Sequence, residues 1–264
     1  MRKVLPRSIV VVYLVAILLG PIAVMVWRTF GDFGGAWDAV KAHNTLLAFR
    51  LTLIVTAIAV PLNTIFGIFC GLLIVRGNIR GKGLLNAFVD LPLALSPVVV
   101  GMSIVFLYGA QGWFGGLQGH IQILFAWPAI VLGTMFVSVP FVAREVIPTL
   151  REIGTEQEQA AATLGASRWQ TFWKITLPSI RWAVVYGVVL TTARCFGEYG
   201  AVAVVSGNIE GKTQTATLRV DDAYQFAYGN YAPAYGISIV LALMAIVVLL
   251  TMLRIHPTGS ESHV

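Results

Sequence analysis

Apolar residues fall into six long stretches along the chain, and shorter polar segments separate them. Each stretch is long enough to cross about 30 Å of hydrocarbon as an α-helix, which rises about 1.5 Å per residue. Charged residues are rare inside the stretches, because a charge within the bilayer is costly. The pattern therefore predicts six transmembrane helices, which cover residues 9–27, 46–75, 84–110, 121–143, 182–205 and 232–253.

Composition supports a membrane protein. Hydrophobic residues make up 57% of the 264 residues and charged residues 11%, whereas about a quarter of the residues in soluble domains are charged. The mean hydropathy is +0.80. The two cysteines, Cys70 and Cys195, lie in apolar stretches, where they fit as small hydrophobic residues rather than as a disulfide. We therefore expect an all-α integral membrane protein in which residues 1–264 form a single transmembrane domain.

The segments between the apolar stretches differ in charge. If the N-terminus is cytoplasmic, twelve of the 18 Lys and Arg residues fall in cytoplasmic segments, four fall outside, and Arg50 and Arg194 lie within helices. Because cytoplasmic loops are rich in Lys and Arg, we expect both termini in the cytoplasm, with a polar tail over residues 256–264. The first stretch lacks an Ala-x-Ala cleavage site and is predicted to be a retained helix rather than a signal peptide. The net charge of +6 then reflects topology, and no nucleic acid is expected as a partner.

The least apolar part of the chain, residues 144–181, is predicted to be a cytoplasmic loop of two short helices. The first begins with a Thr155–Glu158 capping box, and Gly165 ends it as a glycine C-cap does. The second begins with a Ser167–Gln170 capping box and ends before Pro178. Small residues on the first helix and aromatic residues on the second suit either insertion into a partner's groove or packing against the protein's own helices.

Three elements of this loop have a distinctive spacing: Gln159-Ala160-Ala161, then three residues and Gly165, then nine residues and Ile175-Thr176-Leu177-Pro178. The spacing resembles the EAA motif of ABC-importer permeases, which reads Glu-Ala-Ala, three residues, Gly, nine residues, Ile-x-Leu-Pro. The chain departs from the motif at Gln159, where the family has glutamate, and Glu158 stands one position earlier. Because glutamine carries no charge, we expect no salt bridge from Gln159 to the ATPase.

The resemblance implies the type I ABC importer fold of the MetI-like class, with an N-terminal span over 9–27, a core permease over 46–253 and a coupling-helix loop over 144–181. In that family the loop docks in a cleft of the ATP-binding subunit and transmits its closure to the membrane helices. The residues that would perform this coupling here are Glu158, Gln159, Ala160, Ala161, Gly165, Ser167, Ile175, Leu177 and Pro178.

The resemblance also implies partners. These are two copies of an ABC ATPase subunit, a second and related permease subunit, an extracytoplasmic binding protein, and the lipid of a bacterial inner membrane. The sequence has no Gly-x4-Gly-Lys-Ser/Thr loop, so ATP with its Mg must be hydrolysed by another chain. We therefore expect neither a catalytic residue nor a cofactor in this chain.

The likeness extends over residues 21–253 and looks closest to the sulfate/thiosulfate permeases, in particular their CysW-type subunit. Val60-Pro61-Leu62-Asn63, Gly197-Glu198-Tyr199-Gly200 and Ser206-Gly207-Asn208-Ile209 are among the stretches that carry it. Molybdate or tungstate permeases are an alternative, because they are similar around Gly-Glu-Tyr/Phe-Gly, although they are usually shorter at the N-terminus. A secondary transporter driven by an ion gradient is a further alternative, but it would not need the coupling loop.

Several polar or helix-bending residues within the apolar stretches are candidates for the transport path. Arg194 and Glu198 lie four residues apart, and they either line the path of a dianion or form a structural ion pair. Asp90, Pro92 and Pro97 either shape a gate or bend the third helix for packing. Gly67 and Gly71 form a Gly-x-x-x-Gly pair, which favours close helix packing over a hinge. The four histidines are dispersed, and no metal site is expected.

Overall fold

The computed structural model describes residues 4–116 and 121–255, so the predicted tail over 256–264 lies outside the described residues. The described residues form helices joined by turns and loops, without a strand among them. The helices are α1 (Val4–Gly31), α2 (Phe33–Lys41), α3 (His43–Val75), α4 (Lys82–Ala94), α5 (Pro97–Tyr108), α6 (Trp127–Ser138), α7 (Pro140–Glu152), α8 (Glu156–Thr163), α9 (Arg168–Thr171), α10 (Leu177–Ser179), α11 (Arg181–Phe196), α12 (Gly200–Val205), α13 (Ala216–Gln225) and α14 (Ala232–Ile255). A π-helical turn, Phe172–Thr176, joins α9 to α10.

Four of the described helical units are long and apolar enough to cross a membrane unbroken: α1, α3, the continuous α6–α7 unit and α14. Two further pairs pass the same test only together. The α4–α5 pair is bent by 108°, and the segment Arg168–Ser179 is bent by 67° from α11. The described residues therefore contain between four and six candidate spans, and the predicted number of six is reached only if each bent pair counts as one span.

The predicted continuous helix over 84–110 is wrong, because the chain breaks between α4 and α5. Leu95 and Ser96 are extended, with ψ of 140° and 135°, and α5 begins at Pro97. Proline disfavours the helical conformation of the residue before it, so Pro97 accounts for the break. Pro92 lies inside α4 without ending it.

The fourth and fifth predicted spans also have different limits. The predicted helix over 121–143 begins six residues late, at Trp127, and continues as α7 to Glu152. Residues 144–152 therefore belong to a helix and not to a loop. The predicted helix over 182–205 ends at Phe196, and Gly197-Glu198-Tyr199 separate α11 from α12.

Small residues bring α3, α7 and α11 close together. A Cβ atom on Gly67 would lie 2.7 Å from the Cβ of Val142, and one on Gly187 would lie 2.7 Å from the Cα of Val142. One on Gly71 would lie 2.8 Å from Cγ1 of Val146. These separations are too short for a side chain, so the predicted packing role of the Gly-x-x-x-Gly pair is confirmed.

Helix α13 lies within residues 206–231, the segment between the fifth and sixth predicted spans. Gln214 is buried and donates hydrogen bonds to Asn208 Oδ1 at 3.0 Å and Asp222 Oδ2 at 2.5 Å. Arg219 pairs with Glu210 at 2.6 Å, and Glu210 accepts a hydrogen bond from Asn44 at the start of α3. Side chains from distant positions thus hold the segment against the helices. Hydropathy alone did not reveal it, because α13 is short and polar.

Candidate functional site

The predicted coupling loop is an ordered segment between α7 and α11, and we define residues 153–180 as the coupling segment. Its first helix, α8, has Glu156 and Glu158 in its first turn and no basic residue in its last turn. Only Ala161 of this helix is buried. Leu164, which follows the helix, is 88% exposed. A short helix that ends in an exposed leucine next to a tight turn is suited to insertion into a groove of another protein.

Helix α8 ends in a Schellman motif, which explains why glycine occupies position 165. The Ala166 N–H donates to the Ala161 carbonyl at 3.0 Å, and the Gly165 N–H donates to the Ala162 carbonyl at 3.0 Å. Gly165 has a φ of +83°, in the left-handed region, and no atom lies within 4 Å of where its Cβ would be. The predicted glycine C-cap is confirmed, and it depends on backbone conformation rather than on space.

We expect Gly165→Val to weaken coupling while membrane insertion stays intact. A β-branched residue in the left-handed region costs about 1–2 kcal/mol, which favours a different path of the chain after α8. Uptake of substrate by the assembled transporter should fall, whereas the amount of protein in the membrane should not change. Gly165→Asn should be milder, because asparagine tolerates this region. Equal, undiminished uptake by the Val and Asn variants would contradict the coupling role of this turn.

The predicted Thr155–Glu158 capping box is not formed. Thr155 precedes α8 without a side-chain cap, and its hydroxyl instead accepts a hydrogen bond from Gln159 Nε2 at 2.9 Å. The Glu158 carboxylate has two partners outside α8: Oε2 pairs with Arg76 Nε at 2.9 Å, and Oε1 accepts a hydrogen bond from the Thr176 hydroxyl at 2.9 Å. An arginine and a hydroxyl from elsewhere in the fold have replaced the local backbone donor that a capping box requires.

The four residues Arg76, Gly154, Glu158 and Thr176 form what we call the Arg76 junction. Arg76 follows the last residue of α3 and also donates to the Gly154 carbonyl at the start of the coupling segment. The side chains of Arg76 and Glu158 are 17% and 21% exposed. The junction therefore fastens α3, α8 and the π-helical turn to one another. Arg76 is a candidate functional residue that sequence reasoning missed, since it lies 82 residues from its partner.

The second half of the coupling segment agrees only partly with the prediction. The Ser167–Gln170 capping box is present, with the Gln170 N–H donating to Ser167 Oγ at 3.3 Å and the Ser167 N–H donating to Gln170 Oε1 at 2.9 Å. The helix does not end before Pro178. It continues through the π-helical turn that includes Ile175, and Leu177 and Pro178 open α10. The sharp change of direction comes at Ile180.

Arg194 and Glu198 meet at the break between α11 and α12. Arg194 Nη1 lies 2.8 Å from Glu198 Oε2, and their side chains are 31% and 3% exposed. The other carboxylate oxygen accepts a hydrogen bond from the Ala201 N–H in the first turn of α12 at 2.9 Å. The two residues were predicted to share one face of a continuous helix, but Glu198 lies beyond the end of α11. The structure brings them together as an ion pair across the break.

Asp90 is also paired. Its carboxylate accepts from Arg144 Nε at 2.9 Å and from Asn86 Nδ2 at 3.3 Å, which links α4 to α7. The two charged side chains are 35% and 56% exposed, so the pair contributes little stability by itself. Of the three residues predicted to shape a gate or a bend, Asp90 joins two helices and Pro97 stands at the break. Pro92 is buried within α4.

Comparisons with known proteins agree with this architecture. Residues 63–257 match the family described as binding-protein-dependent transport system inner membrane component. The sulfate transport system permease protein CysW of Synechococcus elongatus is 46% identical over 230 residues, which cover 85% of this chain and 80% of that protein. The permease protein CysT of the same organism is 36% identical over 241 residues, which cover 90% of this chain and 86% of that protein.

Two solved structures have the same fold. A bacterial alginate ABC transporter, in complex with a periplasmic protein that holds an alginate pentasaccharide, aligns with a TM-score of 0.79 at 18% identity and covers 100% of this chain and 97% of its own. An inward-facing MetNI methionine ABC transporter aligns with a TM-score of 0.62 at 19% identity and covers 79% of this chain and 92% of its own. The expected MetI-like permease fold is confirmed.

Proposed function

This chain belongs to the family of binding-protein-dependent transport system inner membrane components, and from that membership we propose that it is a permease subunit of an ATP-driven importer of sulfate or thiosulfate. The observation that carries the proposal is the 46% identity to a sulfate permease over 85% of the chain. The coupling segment supports it, because its exposed helix and tight turn provide what a permease needs to engage an ATPase.

The partners follow from the same proposal. Two copies of an ABC ATPase bind ATP and Mg on the cytoplasmic side, and one of them receives α8. A related, non-identical permease completes the pore, in keeping with the similarity of this chain to both CysW and CysT proteins. An extracytoplasmic binding protein delivers the anion. The chain itself is one permease domain of a bacterial inner membrane, with both termini in the cytoplasm and without a bound cofactor.

In the mechanism we propose, closure of the ATPase dimer displaces α8. The Arg76 junction passes this displacement to the end of α3, while the π-helical turn passes it through Thr176 toward α11. Because α3, α7 and α11 pack through glycines without space for side chains between them, they move as one unit. The cavity then opens outward and admits the anion, and release of phosphate after hydrolysis returns the inward-facing state.

We place Arg194 beside the path of the anion. Its guanidinium is partly exposed while its partner Glu198 is buried, so the exposed side of the pair is the positive one. A positive potential at a break between two helices would attract a dianion without binding it tightly. Glu198 serves mainly to orient Arg194 and to cap α12.

Reconstitution tests the function. The chain is purified with its ATPase, sister permease and binding protein, placed in proteoliposomes, and supplied with labelled sulfate and ATP. We expect uptake that needs ATP and the binding protein, that thiosulfate inhibits and that a protonophore leaves unchanged. Stronger inhibition by molybdate or tungstate than by thiosulfate would reassign the substrate. Uptake that persists without ATP and stops with the protonophore would indicate a secondary transporter.

A further inference from the structure

Three aromatic side chains of the coupling segment form a cluster in which the two tryptophans are exposed. The ring centroids of Trp169 and Trp173 are 5.5 Å apart, and those of Phe172 and Trp173 are 5.2 Å apart. Trp169 is 70% exposed and Trp173 is 50% exposed. We call Trp169, Phe172 and Trp173 the aromatic patch. Nothing in the coupling of α8 to an ATPase requires two exposed tryptophans at this position.

The charged residues nearest to the aromatic patch along the chain are all positive. Arg168, Lys174 and Arg181 are exposed and lie beside it in sequence, and no Asp or Glu occurs anywhere in residues 159–197. Helix α8, just before, has the opposite character, with two glutamates in its first turn and no basic residue in its last. The coupling segment is therefore divided into an acidic first half and a basic, aromatic second half.

A sharp bend separates the second half from α11. The segment Arg168–Ser179 is bent by 67° from α11, so if α11 crosses the bilayer, this segment lies closer to the bilayer plane than to its normal. In an unbroken α-helix, Trp169, Trp173, Thr176 and Ile180 would share one stripe. The π-helical turn changes this phase, so that Thr176 and Ile180 are buried while the tryptophans are exposed.

From this arrangement we propose that the aromatic patch and its basic neighbours bind the anionic phospholipid headgroups of the cytoplasmic leaflet. Tryptophan favours the boundary between hydrocarbon and headgroups, and basic residues beside an anionic surface each strengthen association by about fivefold. Charge complementarity thus distinguishes the two halves: α8 binds protein and the aromatic patch binds lipid. The proposal rests on the proposed function, which places this end of α11 in the cytoplasm.

Anchoring at this point has a consequence for coupling. The patch immediately precedes Thr176, whose hydroxyl donates to Glu158 of the Arg76 junction. If the headgroups hold the aromatic patch in place, displacement of α8 moves α3, α7 and α11 relative to the patch. Without this contact, the same displacement would move the patch itself toward the cytoplasm. Transport should therefore depend on the charge of the membrane lipid.

Fluorescence quenching tests the contact directly. The assembled transporter is placed in nanodiscs that contain phosphatidylglycerol brominated either close to the headgroup or close to the bilayer centre. The protein is compared with the double variant Trp169→Phe and Trp173→Phe, and with Trp113→Phe, which removes an exposed tryptophan outside the coupling segment. We expect the emission lost in the double variant to be the fraction quenched by the shallow bromine. If the emission lost in the double variant is instead the fraction that bromine leaves unquenched, the proposal is refuted and the patch is assigned to a protein partner.

Transport in vesicles of different charge is the second test. We expect Lys174→Gln to lower ATP-driven uptake severalfold in vesicles that contain phosphatidylglycerol, and to leave uptake in purely neutral vesicles unchanged. Arg80→Gln removes an exposed charge from another segment on the same side and should have less effect. An equal decrease with Lys174→Gln in both kinds of vesicle would overturn the lipid contact. Neutral vesicles also separate the two proposals, because uptake there supports the transport function whatever the patch binds.

Discussion

Replacing Glu158 with alanine is expected to abolish most uptake while the ATPase subunit continues to hydrolyse ATP. Glu158 is the one residue of α8 whose side chain bonds both to Arg76, at the end of α3, and to Thr176, in the π-helical turn. Without its carboxylate, Arg76 retains only the Gly154 carbonyl, and Thr176 loses its acceptor. Helix α8 could still dock, but its movement would no longer be transmitted.

The size of the effect follows from the burial of the pair. Leaving a largely buried charged group without its partner costs about 1–3 kcal/mol or more. If this energy is lost from the coupled state, transport falls by roughly tenfold or more, since about 1.4 kcal/mol corresponds to a factor of ten. Uptake and ATP hydrolysis are measured on the same proteoliposomes, and their ratio reports coupling.

Glu156→Ala is the matched control, because Glu156 is an exposed glutamate in the same turn of α8. We expect it to transport at nearly the original rate. Arg76→Ala should resemble Glu158→Ala, and the double variant should be little worse than either single one, as double-mutant cycles show for residues that act together. Additive losses, or a fall in ATP hydrolysis that parallels the fall in uptake, would mean that Glu158 acts by binding the ATPase instead.

The apolar stretches predicted where helices exist but not where they break. The second and sixth spans were predicted within a few residues of α3 and α14 because nothing interrupts either helix. The third and fifth stretches are apolar on both sides of their breaks, so hydropathy over the whole stretch did not reveal the breaks. Pro97 signalled one break. At the other break, the side chain of the buried Glu198 accepts a hydrogen bond from the Ala201 N–H at the start of α12. This contact is visible only in the folded structure.

The coupling segment shows the same division between local and distant causes. The Ser167–Gln170 capping box and the glycine at position 165 depend only on neighbouring residues, and both were predicted correctly. The Thr155–Glu158 box was predicted by the same rule and was wrong, because Arg76 competes for the carboxylate from another helix. A local pattern holds when its side chains have no stronger partner elsewhere, and one sequence does not show such partners.

Replacing Arg194 with glutamine is expected to destabilise the protein more than replacing Glu198 with glutamine. Arg194→Gln leaves the Glu198 carboxylate, only 3% exposed, without a countercharge, which costs about 3–5 kcal/mol for a buried pair. Glu198→Gln keeps an oxygen that can accept from the Ala201 N–H, and it leaves an arginine side chain that is 31% exposed. Unfolding of the purified protein, followed by tryptophan fluorescence, measures the difference.

The double variant with glutamine at both positions separates stability from transport. It should be close to Glu198→Gln in stability, because no buried charge is left unpaired. If Arg194 supplies positive potential to the path, sulfate uptake by this stable double variant should remain low, and Arg194→Lys should restore part of it because the charge is retained. Uptake at the original rate by the double variant would instead show that the pair only fixes α11 against α12. Arg194→Lys separates the charge of Arg194 from its shape, since lysine keeps the positive charge but loses the planar donor geometry of arginine.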